Sequence, residues 1–384
     1  MQESADLEKR VDAVLASPAS SVQENVECLM HPALSQQVTP ERRLELLKQT
    51  LQQAVELEFA TIPLYLMALW SIKDNLHPVA KSIRNVVQEE MLHLSLASNM
   101  LASIGGKPKL YDPGEKGLRF PTGLPGGVHP ELTLRLSGLT DDALEDFLEV
   151  ELPLEPISIE GFHGKYSHAD GENSSATIGA MYDAIQKEFE SLRPAMSPDN
   201  QISGPLAWFV VDTIEKVDSA INWIKEQGEG AVQPSTDKTN PKSLSHFYRF
   251  WEVRERKRIE YDAAKGKFVF GAALEFPEVW PVAVVPKGGY LQQDVSEDVW
   301  TLLCGFDRTY SHVVKLLESA WGGAGQAAMW KAIEVMFDLE KTAIPLMQIP
   351  KPDGKGNYGP AFRMVPIDDR PTSGEPGSRH SVPA

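Results

Sequence analysis

The chain has 384 residues, 42% hydrophobic and 24% charged, which is the balance of a folded globular protein rather than a disordered one. A formal net charge of −17 argues against a nucleic-acid partner, because a phosphate backbone needs a basic stripe to meet it. The densest basic run, Arg254 to Arg258, alternates with glutamates as a solvated helix face does.

Residues 1–38 read as a loose helical arm and polar connector, 39–365 as the main domain, and 366–384 as a disordered tail. The main domain opens on Thr39-Pro40-Glu41, a capping Thr, a Pro at the first helical position and an acid in the first turn. The periodic segment that follows runs to about Ile72, with a kink expected at Pro63. A second helix spans about Pro78 to Ile104 and stops at Gly105-Gly106. The Gly- and Pro-rich stretch over 105–137 reads as loops and short strands, and Thr140 caps a short helix ending before Pro153. Further helical patterns cover about 175–192, 206–227 and 242–261, followed by a β-prone patch from Lys267 to Leu274 and a Pro-rich run from Phe276 to Pro286. Two more helices are predicted at about 296–321 and 325–347. The pattern predicts a mainly α protein: a helical bundle with long irregular connections and extra C-terminal helices.

Cys28 and Cys304 form neither a disulfide framework nor a Cys-x-x-Cys pair. No run approaches about 18 apolar residues, and the first residues lack the basic and apolar regions of a secretory leader. A cytoplasmic location without a membrane partner is the expectation.

Glu90-Met91-Leu92-His93 carries the strongest chemical signal. A carboxylate and an imidazole at i and i+3 share one helix face, and at 100° per residue that face also holds Val86, Ala97 and Met100. Bundle helices of di-iron and di-manganese proteins present such Glu-x-x-His pairs inward. On the first long helix, Glu58 falls in an apolar stripe with Leu47, Leu51, Ala54, Ile62 and Tyr65, whereas Glu56 points outward. A carboxylate in a buried stripe must be paired, protonated or bound to a cation. His246 lies with Phe250 and Val253 on another apolar face, where a satisfied core histidine is the competing explanation. Glu229 sits between Gly228 and Gly230, where the backbone can redirect it, and is preferred to Glu226, which lies opposite the stripe Ile214, Val217, Ile221. The octet Leu57–Leu64 is echoed at Leu339–Leu346, a coincidence or a decayed helix-pair repeat.

The segments 57–66, 86–106, 227–230, 245–250 and 306–310 together resemble the ferritin-like domain of iminophenyl-pyruvate dimer synthases, over roughly 40–365. The resemblance implies Glu58, Glu90, His93, Glu229 and His246 as metal ligands. One departure stands out: Ala180 follows Ile178-Gly179 where that family tends to carry a glutamate, and Ser243 rather than an acid precedes His246 by three. A full set of four carboxylates and two histidines is therefore not evident. A single metal, an asymmetric pair completed by Glu151 or another acid, and a lapsed site all stay open. The resulting expectation is a non-haem oxidoreductase of specialised metabolism, using one or two iron ions or manganese, with dioxygen and a small-molecule substrate. Oxidative coupling of imino acids is what the resemblance implies. The alternative is a non-catalytic metal- or partner-binding scaffold, and homo-oligomerisation is left open.

Overall fold

The computed structural model describes residues 2–17, 20–114, 118–153, 156, 157, 159, 177–204, 209–228 and 244–367. The protein is mainly helical, as the sequence pattern predicts. Three N-terminal helices, α1 (Gln2–Ala16), α2 (Val22–Leu29) and α3 (Leu34–Gln37), precede the long α4 (Pro40–Ser71) and α5 (Pro78–Ser103). After the loop region come α6 (Asp141–Val150), α7 (Ile178–Leu192), α8 (Ile214–Gln227) and α9 (His246–Glu255). A hairpin of β1 (Lys257–Asp262) and β2 (Lys267–Ala273) separates these from α10 (Glu297–Ser319) and α11 (Gly325–Met347).

α4 is the axis of the molecule. Its C-terminal half is buried almost all round, which explains why its apolar stripe broadens into a nearly continuous apolar run. One 18-residue window is long and apolar enough to cross a membrane, yet 94% of it is buried inside the fold, so its side chains face protein. The helix continues through Pro63, which removes one donor from the ladder and crowds the carbonyl four residues before it. The short connection over 72–77 turns the chain back. Thr61 bonds Glu90 and Glu58 approaches His93, so α5 runs antiparallel to α4 in the register that pairs these turns.

The N-terminal helices are not a loose arm. Leu7, Val11, Val22 and Val26 are buried, and Gln49 of α4 donates to the carbonyls of Val14 and Ser17. Inside the bundle, Arg43 forms a buried two-pronged ion pair with Glu188, at 2.9 and 3.0 Å, tying α4 to α7. Asn99 on α5 is used on every side: Nδ2 donates to the carbonyls of Ile202 and Phe209, while Oδ1 accepts from Ile202 N and from Trp321 Nε1.

Two predicted helices shrink. The pattern over 206–227 yields a helix only from Ile214, because Thr213 caps it through the Lys216 amide and Val211 instead bonds the Gln201 side chain. The segment 242–261 stops being helical at Glu255. Arg256 takes the left-handed conformation, and the next residues alternate so that Glu260 and Tyr261 pair with Val269 and Phe268. Among the described residues of 105–137 one bridge, Thr122 to Leu134, stands where short strands were expected. The predicted disordered tail lies, from residue 368, outside the described residues.

Candidate metal centre

Six helices or helix ends meet around one small chamber. Glu58 and Thr61 come from α4, Glu90 and His93 from α5, Glu151 from the C-cap of α6, Tyr182 from α7, Gln227 from the last turn of α8 and His246 from the first turn of α9. Of these, Glu58, Thr61, Glu90, His93, Glu151 and Tyr182 line a cavity of about 30 Å³, room for an ion or a water or two, with Gln227 and His246 set behind it. Leu57, Val150, Ile178 and Ile224 close it with hydrocarbon.

Both imidazoles turn Nδ1 to the centre. His93 Nδ1 lies 3.6 Å from Glu58 Oε2 and 4.0 Å from Glu90 Oε1, while its Nε2 meets Gln227 Oε1 at 2.9 Å. An amide oxygen can only accept, so Nε2 carries the proton there and Nδ1 keeps its lone pair in the neutral ring. His246 repeats the scheme with a stronger partner. Its Nε2 is 3.0 Å from Glu89 Oε2, and Arg249 donates to both oxygens of that same carboxylate, at 2.6 and 3.3 Å. The two rings lie nearly parallel, 5.4 Å apart.

His246 Nδ1 is fully buried and makes no hydrogen bond. Glu90 Oε1 lies 2.7 Å from it and Glu151 Oε1 3.4 Å, both without hydrogen-bond alignment. Faced by two carboxylates, this buried nitrogen needs either a proton or a cation between them. Glu90, His93 and His246 each offer one donor atom, all within 4.8 Å of one another. Ligands about 2.1 Å from one first-row metal stand about 3–4 Å apart, and Glu90 Oε1 lies 2.7 Å from His246 Nδ1 and 4.0 Å from His93 Nδ1, so small shifts would let this donor set share a cation. The carboxylates are steered from outside: Tyr182 OH donates to Glu58 at 2.5 Å, Tyr65 OH to Glu151 at 2.6 Å and Thr61 to Glu90 at 2.9 Å.

The electrostatics are those of a crowded ion site. Burial and the neighbouring Glu151 charge push the Glu90 carboxyl up to about 7. Burial would lower His246, but Glu151, Glu89 and Glu90 outweigh it and hold the ring well above its ordinary value. His93 is likewise raised, Glu58 overcoming the effect of burial. Burial pushes Glu89 up too, yet His246 and Arg249 win and hold it at about 2. Protons on the two rings thus balance the acids, and an entering cation would displace them.

Of the residues singled out from sequence, Glu58, Glu90, His93 and His246 come together here, and Glu229 lies outside the described residues. Glu226 is exposed, and Glu151, one of several acids left open, faces the centre. Glu89, Tyr182 and Gln227 were missed. Glu89 had a readable signal: Arg249 follows His246 by three, on the same helix face, and needs an acid.

A helical bundle that gathers carboxylates and imidazoles in its interior has the architecture of ferritin-like proteins. The ferritin-like profile matches residues 51–255, more than half of the chain, and the chain belongs to the ferritin-like family. That span holds every donor described above and stops short of α10 and α11. The chain is also similar to the crystal structure of a ferritin-like protein from Caulobacter vibrioides, at 20% identity and a TM-score of 0.52, over 77% of this chain and 95% of that one. At that identity the likeness speaks for the fold. No curated protein matches the chain.

Proposed function

We propose that the protein is a non-haem metal oxidoreductase, with iron, or manganese in its place, held by Glu58, Glu90, His93, Glu151 and His246. The observation that carries this reading is the orphaned, fully buried Nδ1 of His246 facing Glu90 and Glu151, with His93 Nδ1 alongside. Mixed carboxylate and imidazole donors suit these metals, and a bound ion of this kind supplies redox chemistry with dioxygen.

The chain's own residues do the rest. Gln227 and Glu89 fix the histidine tautomers, so that Nδ1 faces the centre in both rings. Tyr182 holds Oε1 of Glu58 and leaves Oε2 towards His93, while Tyr65 holds Oε1 of Glu151, the oxygen that faces His246. Leu57, Val150, Ile178 and Ile224 give the chamber an apolar wall, with Lys225 also on its lining. Oxidative coupling of imino acids is the finer reading to which the sequence resemblance leads, in a cytoplasmic setting of specialised metabolism.

A second reading, a metal-binding scaffold without turnover, is favoured by the chamber's size. About 30 Å³ holds an ion but no organic substrate beside it. The test is to express the full chain with added iron or manganese, measure bound metal, and follow dioxygen uptake with aromatic imino acids formed in solution. Bound metal with substrate-dependent uptake supports the oxidoreductase. Bound metal without uptake leaves the scaffold, and absence of bound metal sinks both.

A further inference from the structure

On the α10 side of α4, two cavities adjoin. One, of about 490 Å³, is walled by Trp300 and Arg308 on α10, by Arg119, and by the C-terminal segment from Arg363. The other, of about 740 Å³, reaches Tyr111 and Phe59. Asp112, Leu118 and Met364 line both, which makes them one elongated cleft of a size that takes an organic molecule. None of Glu58, Glu90, His93, Glu151 or His246 lines it.

The charge at its narrow end is opposite to that of the chain. Three arginines gather there in a protein of net charge −17. Arg363 is already engaged, its Nε 2.7 Å from Asp307 Oδ2 and its guanidinium 5.4 Å from the centre of the Trp300 ring. Glu56 and Glu318 line the far cavity, and at this end that pair consumes Asp307, one of two acids. The other, Asp112, accepts from the Gly114 amide. Arg119 gives one bond to the Gly114 carbonyl, and Arg308 meets no acid among the described residues. Two guanidiniums therefore face the cavity with donors to spare, and a guanidinium fork matches a carboxylate or phosphate. Away from them the wall runs through Leu118 and Met364 to Phe59, with Glu56, Lys109 and Glu318 among its polar members.

We propose that this cleft binds an elongated organic anion, its carboxylate or phosphate held by Arg308 and Arg119 and its apolar body lying along Leu118 and Met364 towards Phe59. The site is separate from the metal centre and does not depend on the function assigned to it.

The experiment is calorimetric titration of the full chain with 4-phenylbutyrate, phenyl phosphate and the neutral 4-phenylbutan-1-ol. At least one anion should bind about tenfold more tightly than the alcohol, and more weakly as salt is raised. Which anion binds better tells a carboxylate site from a phosphate site. The double variant Arg119→Gln/Arg308→Gln, two exposed positions, should lose about tenfold in anion affinity and keep its affinity for the alcohol. His93→Ala should bind the anion as wild type does. Equal binding of alcohol and anion, an unchanged double variant, loss of binding in His93→Ala, or no anion binding up to about 10 mM would each overturn the proposal.

Discussion

Two helices of this molecule carry nearly the same octet, and only one of them builds a site. Leu57–Leu64 lies in α4 and Leu339–Leu346 in α11, each with a glutamate second and a proline seventh. Glu58 is 6% exposed and lies 3.6 Å from an imidazole nitrogen. Glu340 is exposed and belongs to no metal-type cluster among the described residues. The difference comes from what surrounds the helix. α4 is enclosed by α1, α2, α5 and α7, whereas α11 packs mainly on α10 and leaves Phe337 68% exposed. A carboxylate in this motif becomes a candidate ligand only when neighbours remove water on every side and bring histidines.

That contrast can be broken or sharpened by mutation. The largest effect is expected from Leu47→Ala, which empties a fully buried place in α4 and should cost about 2–5 kcal/mol in denaturant unfolding. Phe337→Ala on the open face of α11 should stay within about 0.5 kcal/mol, and similar costs for the two would undo the enclosure explanation. Next comes His93→Ala, expected to weaken metal binding by about 100-fold or more and to cost the metal-free protein some stability, because Glu58 and Gln227 lose a buried partner. Unchanged metal content, read by elemental analysis, would remove His93 from the ligand set.

Glu89→Gln should act more gently, weakening metal binding about 10- to 100-fold, because His246 keeps a hydrogen-bond partner but loses its orienting charge. The same carboxylate sets an acid limit. Its value is lowered to about 2 in the fold, so its contribution to stability is present above the ordinary glutamate range and fades as pH falls towards 2. Acid titration of stability should therefore be shallower in Glu89→Gln than in wild type. The smallest effect belongs to Glu340→Ala, where both metal content and stability should be unchanged.

Much of this was legible in the sequence because it is local. Thr39-Pro40-Glu41, the break at Gly105-Gly106 and the capping Ser296 are signals written within a few residues, and the helices begin and end beside them. Glu58 stood out because one acid in an apolar stripe contradicts its surroundings. The missed features are relations between distant segments. Glu89 looks like the outward neighbour of Glu90 until Arg249, 160 residues on, reaches its carboxylate. Glu151, named in the sequence only as one acid among several, ends a short helix, and the packing of α6 on α9 brings it to His246. The strand over 257–262 was hidden because its charged, alternating residues also suit a helix face, and only pairing with β2 decides the matter.

Asn99 makes the C-terminal helices inseparable from the rest. It lies six residues after His93 on α5, and Trp321, at the junction of α10 and α11, occupies one of its acceptor positions. A chain cut before Glu297 would leave that oxygen short of a donor and uncover the apolar flank of α4 at Phe59 and Trp70, which Tyr310 and Phe306 now cover. The appended helices are thus no passenger module: the molecule should melt as a single cooperative unit, and the rigidity of the ligand-bearing helix is set in part from outside the segment that defines its family.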